Sequence, residues 1–265
     1  MGHNGAVFDN VIVPFDGSPP GRAALAPAGD LAWRCGGRLV VVSNTDANDQ
    51  ASRAALKQRA MSMSGADVDF WVDPGRSMGE ALVRSAANRA DPLICLPLRS
   101  SKKGLFRKVV PEHLPSEVLR DSTAPLMVIG PHADVSRGLP LSELVVPLDG
   151  SPENERVLPE AIRWARTLKA GIVLLRVVPP GTDDHRPLLA YLSEQLSVVS
   201  GSVPEARFEL VEASDPASAI VAFLGDRDNS VVLLPLESAS NGDRVSELAA
   251  AVVDRSPRAV VLVRP

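Results

Sequence analysis

The chain has 265 residues, of which 45% are hydrophobic and 23% are charged, and its formal net charge is −4 at pH 7. This balance is typical of a folded protein with two domains of ordinary size, and it gives no reason to expect a non-specific nucleic-acid binder, which would be basic. No apolar run approaches the roughly 18 residues of a membrane span, and the first ten residues lack the pattern of a secretory signal, so we expect a cytoplasmic protein with no membrane partner.

The first half of the chain alternates short apolar runs with segments of helical period. Val11–Phe15 is a continuous apolar run, as expected of a strand buried on both faces. Ser18 and Pro19 are suited to begin a helix, which ends at Gly36 and Gly37. Further strands are predicted at 38–44, 68–72, 93–98 and 126–130, and further helices at 49–63, within 73–90 and at 112–121.

The second half repeats this order of elements. Strands are predicted at 144–148, 171–178, 208–213, 231–236 and 260–263, and helices at 158–168, 187–199, 216–224 and 245–253. Strands that alternate with helices pair in parallel and carry helices on both faces of the sheet. We therefore predict two doubly wound α/β domains, at 7–131 and 141–265, with a turn-rich link at 130–143.

One motif occurs twice at a fixed distance. VIVPFDGSP at 11–19 returns as LVVPLDGSP at 144–152, with the Pro, Asp, Gly, Ser and Pro positions 133 residues apart. A period this long indicates duplicated domains, because solenoid repeats run to roughly 20–50 residues. Any site in one half must therefore be judged against its counterpart in the other.

These motifs resemble the universal stress protein family in its tandem two-domain form. The resemblance rests on the strand that ends in Asp-Gly-Ser, the alanine-rich helix after it, the apolar fourth strand after Asp91 or Asn229, and the final strand after Ala-Pro or Arg-Ala. It implies a flavodoxin-like five-stranded parallel sheet of strand order 3-2-1-4-5 in each half. It also implies pairing of the domains through the last strand, which the two halves could satisfy within one chain; a protein partner or a homodimer is a further expectation.

In an open parallel sheet, ligands bind at the carboxyl ends of the strands where the strand order reverses. That point lies beside Asp16, Gly17 and Ser18 in the first half, and beside Asp149, Gly150 and Ser151 in the second. The resemblance implies that the Asp contacts the adenosine part of ATP. The alternative is structural, since an Asp before Gly-Ser stabilises a turn and the Ser caps a helix. Both interpretations stay open at this stage.

The resemblance also implies a glycine-rich loop after the fourth strand that holds the phosphates of ATP, and both halves depart from it. The first half has Pro97 where the glycines should begin and Glu112 near the closing hydroxyl position. The second half has Pro235 and two acids, Glu237 and Asp243. Proline offers no amide and an acid repels phosphate, so we expect no phosphate binding in the second half.

The first half retains a basic loop beside the same crevice. Side chains there could capture an anion in place of backbone amides, or the loop could simply be a solvated surface. The candidate cofactor-binding residues are thus Asp16, Gly17, Ser18, Ser100, Ser101, Lys102, Lys103 and Gly104.

Other chemistries lack their motifs in this sequence. It contains neither a dinucleotide fingerprint nor a P-loop, no nucleophile elbow, and no histidines at metal-ligand spacing. Cys35 and Cys95 are predicted to be buried thiols, and Trp33, Trp71 and Trp164 to be packing residues. We predict a non-enzymatic stress-response protein without cofactor or metal, which acts by binding or protein–protein contact. The alternative is an adenine-nucleotide binder that uses the first-half crevice, with slow ATP hydrolysis.

Overall fold

A computed structural model describes residues 7–15, 19–44, 50–64, 68–98, 116–135, 139, 141–237 and 245–264. Within these residues, no helix is both long and apolar enough to cross a bilayer.

The first half contains five strands and four helices within the described residues. The strands are β1 (Asn10–Pro14), β2 (Arg38–Ser43), β3 (Val68–Val72), β4 (Pro92–Pro97) and β5 (Leu126–Ile129). The helices are α1 (Pro19–Cys35), α2 (Gln50–Ser64), α3 (Met78–Ala87) and α4 (Ser116–Asp121).

The second half follows the same order, with one additional short helix. The strands are β6 (Glu143–Pro147), β7 (Gly171–Val178), β8 (Ala206–Glu212), β9 (Ser230–Pro235) and β10 (Val260–Val263). The helices are α5 (Pro152–Glu155), α6 (Leu158–Leu168), α7 (Arg186–Ser200), α8 (Pro216–Gly225) and α9 (Glu247–Arg255). The break between α5 and α6 was not predicted from the sequence.

The strands form one ten-stranded sheet of order β3-β2-β1-β4-β5-β10-β9-β6-β7-β8. Each half has the order 3-2-1-4-5, so the predicted fold class is confirmed. All pairs within a half are parallel, and the pair β5 and β10 is antiparallel, with Met127 opposite Val261. The two half-sheets therefore meet edge to edge through their last strands, related by an approximate two-fold arrangement.

Side chains from the two faces of the sheet build two apolar layers. One layer lies under α1, α6 and α7 and includes Phe8, Leu31 and Trp164, and the other lies under α3, α4, α8 and α9 and includes Leu82 and Val252. Strand residues alternate between the layers because successive side chains point to opposite faces. Both layers run through both halves, so the halves share their core.

Polar contacts also cross from one half to the other. The Arg163 Nη1 donates to the Val7 carbonyl at 3.1 Å, and its guanidinium stacks over the Phe8 ring at 5.5 Å. Arg264 Nη2 donates to the carbonyls of Val118 and Leu119, each at 3.0 Å. These arginines satisfy carbonyl groups at the junction that would otherwise lose their hydrogen bonds to water.

The prediction that Trp33 is a packing residue was wrong. Trp164 is fully buried, but Trp33 is 79% exposed on α1. The buried face of α1 carries Ala24, Ala28, Leu31, Ala32 and Cys35, at helical spacing. Trp33 lies about 100–200° around the helix from Leu31 and Ala32 by that spacing, on the solvent side. The helical period of the buried residues therefore decides the exposure of Trp33.

Candidate functional site

A crevice of about 610 Å³ lies at the carboxyl ends of β6 and β9, where the strand order of the second half reverses. Its walls are largely apolar and come from β7, β9, α8 and α9, and its rim carries charged and polar side chains. The apolar lining is Pro147, Leu148, Leu175, Val177, Pro216, Ile220, Leu234, Pro235 and Leu248, and the polar lining is Asp149, Ser151, Glu153, Asn154, Arg156, Arg176, Glu237 and Ser246.

Asp149 holds the turn that leads from β6 into α5. Its carboxylate accepts a hydrogen bond from the Ser151 amide at 2.8 Å, and the Ser151 hydroxyl caps α5 by accepting from the Asn154 amide. Partial burial raises the pKa of Asp149, but hydrogen bonds from Ser151 and Asn154 outweigh it and lower the pKa overall. Gly150 between them has φ +88°, a conformation that glycine adopts without strain. The contacts of Asp149 and Ser151 are thus those of the structural interpretation.

Two longer helices also begin at this crevice, and each is capped by its own sequence. Asp215 caps α8, its carboxylate accepting from the Ser218 amide at 3.2 Å. Ser246 caps α9 by accepting from the Ala249 amide at 3.0 Å. Each cap uses one amide of the first turn, and the Asp215 carboxylate also places a negative charge at the start of α8, which disfavours a phosphate there.

Arg176 is a functional candidate that the sequence analysis missed. Its Nη1 donates to the Leu148 carbonyl at 3.0 Å, and its Nε is buried without a hydrogen-bond partner. Strand register makes Ser43 its counterpart, since Pro14 pairs with Val42 as Pro147 pairs with Leu175. A single charged residue within the apolar run GIVLLRVV was the available signal.

Tyr191 on α7 lies near the turn formed by Asp149 and α5. Burial raises its pKa most, and the carboxylate of Glu155 raises it further. A phenol so shifted stays protonated at neutral pH, so it is poorly suited to accept a proton as a general base.

The predicted first-half site falls outside the described residues. Asp16, Gly17, Ser18, Ser100, Ser101, Lys102, Lys103 and Gly104 all lie there, and their proposed role stays a prediction. Helices α3 and α4 of the same half are described. Ser77 caps α3 in a capping box with Glu80, and its hydroxyl donates to the Glu117 carboxylate at 3.2 Å.

Where the chain is described, no group of three or more His, Cys, Asp or Glu side chains is placed to hold a metal ion. The crevice itself has largely apolar walls and a rim of charged and polar side chains.

The second half of the chain matches a known protein family. The model of the universal stress protein family matches residues 142–264. A comparison with curated proteins gives no match.

The fold of almost the whole chain is similar to that of solved structures. A universal stress protein from Archaeoglobus fulgidus DSM 4304 is 17% identical, with 97% of this chain and 98% of that chain covered and a TM-score of 0.70. A functionally unknown protein from Pseudomonas aeruginosa PAO1 is 15% identical, with 97% and 93% covered and a TM-score of 0.63. Over 47% of this chain, a universal stress protein from Archaeoglobus fulgidus in complex with dAMP aligns at 22% identity and a TM-score of 0.39.

The structural likeness extends the fold over both halves, and the family match lies in the half that contains the described crevice. Residues 142–264 therefore match the universal stress protein family, and the structural likeness shows the same fold over both halves of the chain.

Proposed function

We propose that this chain is a universal stress protein that acts by binding rather than by catalysis, and that the second-half crevice is a ligand site without a phosphate subsite. The observation that carries the proposal is the crevice of about 610 Å³ at the strand-order reversal, with Glu237 just beyond β9. Its volume lies within the range of small-molecule sites, and its position is the one at which open α/β sheets bind ligands.

Three polar side chains of this crevice make contacts that serve the structure. Asp149 and Ser151 hold the turn before α5, and Arg176 donates to the Leu148 carbonyl. A catalytic site would instead need a nucleophile and a base within hydrogen-bond reach of each other and of a substrate. Binding of a ligand to the apolar walls, with a response passed to a protein partner, fits these contacts better.

The proposal is tested by thermal unfolding and by phosphate release in the presence of millimolar ATP and Mg²⁺. A ligand at about 100 times its Kd would stabilise the protein by roughly 2.7 kcal/mol. We expect no shift that depends on the second half, and no hydrolysis above that of a heat-inactivated control. A shift removed by Asp149→Ala, or steady phosphate release, would contradict the proposal.

The same experiment also tests the alternative, in which an adenine nucleotide binds in the first half. A midpoint shift that disappears in Asp16→Ala, or after Lys102 and Lys103 are neutralised, would establish nucleotide binding there. The matched second-half variant Asp149→Ala is the control, because the two aspartates occupy equivalent positions of the repeated motif.

A further inference from the structure

Arg176 brings a positive charge into the second-half crevice without an ion-pair partner among the described residues. It lies on β7, which neighbours β6 in the sheet, and its partly buried side chain lines the crevice. Within the described part of the chain, no carboxylate oxygen lies within 4.0 Å of its guanidinium nitrogens. Because a partly buried charge without a partner costs free energy, the crevice calls for an acceptor at this position.

The guanidinium of Arg176 has one edge without a hydrogen bond. Its Nη1 donates to the Leu148 carbonyl at 3.0 Å, whereas its Nε is buried and has no partner. Among the described residues Nη2 also lacks a partner, and it is not fully buried. Nε and Nη2 form the edge whose two parallel N–H bonds match the two oxygens of a carboxylate. The bond to Leu148 thus anchors the guanidinium and leaves this bidentate edge for another acceptor.

The carboxylates that line the crevice do not fill this role. Asp149 accepts from the Ser151 amide at 2.8 Å and holds the turn before α5. Glu153 is exposed in the first turn of α5. Glu237 follows β9, which lies on the opposite side of β6 from β7. The partner that Arg176 lacks must therefore come from outside the described residues.

The first half shows that the fold does not need an arginine at this place. Ser43 is the counterpart of Arg176 by strand register, and it is fully buried. The amides of Phe15 and Leu148 make the same backbone contact with the neighbouring strand, each at 2.8 Å. Since the first half forms this strand end with a serine, Arg176 is a particular feature of the second-half crevice.

Apolar surface for the rest of a ligand comes from lining residues that are not fully buried. Val177 is partly exposed and follows Arg176 on β7. Pro216 is exposed at the start of α8, and Leu248 is partly exposed in the first turn of α9. Covering such surface is favourable in proportion to the apolar area removed from water. The crevice thus combines one unpaired cation with accessible apolar walls.

We propose that this crevice binds a small organic carboxylate, with its two oxygens on the Nε–Nη2 edge of Arg176 and its apolar body against Val177, Pro216 and Leu248. This inference rests on the proposed function, since it names the ligand class of the same site. It adds no phosphate subsite, because Arg176 lies on β7 and the segment after β9 carries Glu237.

Three probes that share an indole ring test the charge of the ligand: indole-3-acetate as the carboxylate, indole-3-acetamide as a neutral acceptor, and tryptamine as a cation. Calorimetric titration of the full chain at pH 7 and low salt measures their Kd values. We expect indole-3-acetate to bind about fivefold or more tightly than indole-3-acetamide, and tryptamine to bind most weakly. Added salt should weaken indole-3-acetate and leave indole-3-acetamide unchanged. Equimolar inorganic phosphate should not displace indole-3-acetate.

Variants assign the preference to Arg176. Arg176→Met keeps the length of the side chain without its charge and should remove the preference for indole-3-acetate over indole-3-acetamide. Arg176→Lys keeps the charge but loses the bidentate edge, so it should retain only part of the preference. Arg156→Gln is the matched control, because Arg156 also lines the crevice, and it should keep the preference. Circular dichroism shows whether each variant is folded, and the comparison of probes on the unsubstituted chain does not depend on any variant.

Each contrary result has its own meaning. Equal Kd values for indole-3-acetate and indole-3-acetamide would overturn the carboxylate class while the crevice remains a ligand site. A preference that survives in folded Arg176→Met would overturn the role of Arg176. Displacement by phosphate would overturn the inference and also contradict the absence of a phosphate subsite. If no probe binds, the inference is overturned, and the crevice itself is then unsupported as a ligand site.

Discussion

Phe8 and Trp164 meet edge to face, with their ring centroids 4.8 Å apart and their planes at 77°, and so join the two halves of the chain. Both rings are fully buried, and the Trp164 Nε1 donates to the Glu160 carboxylate at 2.9 Å. Such aromatic pairs contribute about 0.5–1.5 kcal/mol beyond their buried area. The junction is therefore a packed core as well as a paired strand edge.

Trp164→Ala should lower the free energy of unfolding by about 3–5 kcal/mol, because a large buried side chain is replaced by a cavity. Trp33→Ala is the matched control, since Trp33 is 79% exposed, and should change stability by no more than about 0.5 kcal/mol. Urea unfolding followed by circular dichroism measures both. Similar effects of the two substitutions would show that Trp164 is not the packing residue described.

Gly130 allows the two halves to approach closely after β5. A Cβ at this position would lie 2.3 Å from the Val253 carbonyl oxygen in α9, a backbone atom that cannot move aside cheaply. Gly130→Ala should therefore lower the free energy of unfolding by about 1–3 kcal/mol. Gly225→Ala, at the end of α8 with nothing within 4 Å, should instead be neutral or stabilising by up to about 1 kcal/mol. Thermal unfolding of both variants decides between these signs.

The two thiols should be unreactive in the folded protein. Burial raises the pKa of Cys35 to about 11 and the pKa of Cys95 still further, so almost no thiolate is present at pH 8. We expect neither thiol to react with Ellman's reagent in the native protein over minutes, and both to react once guanidinium is added. Fast reaction of one native thiol would contradict the burial of that residue.

Asp149 should make a small, pH-dependent contribution to stability. Its folded-state pKa is below the ordinary value, so the contribution is complete above that value and is lost as pH falls through the folded pKa. Asp149→Asn should lower the free energy of unfolding at pH 7 by less than about 1 kcal/mol, since this exposed group is screened by solvent. The difference from the unsubstituted protein should be constant above about pH 5 and shrink below it. A difference that grows as pH falls would mean that the pKa is raised.

The sequence predicted most of the fold because the apolar runs are long and the repeat is nearly complete. Val11–Phe15 and Leu144–Leu148 are buried on both faces, as continuous apolar runs in parallel sheets are. The sequence predicted less about the candidate site in the second half. Asp149 and Ser151 were named from the motif, but only coordinates show that their hydrogen bonds serve the turn before α5.

The local pattern thus determined the order of strands and helices, the duplication, and the acids and prolines that replace a glycine-rich loop. These depend on the period and chemistry of neighbouring residues, which the sequence contains directly. Only the tertiary structure decided that β5 pairs with β10, that Arg163 reaches Val7, and that Arg176 engages Leu148 beside an apolar crevice. Such contacts join residues that are far apart in the chain. They depend on side-chain direction and packing, and a local sequence pattern specifies neither.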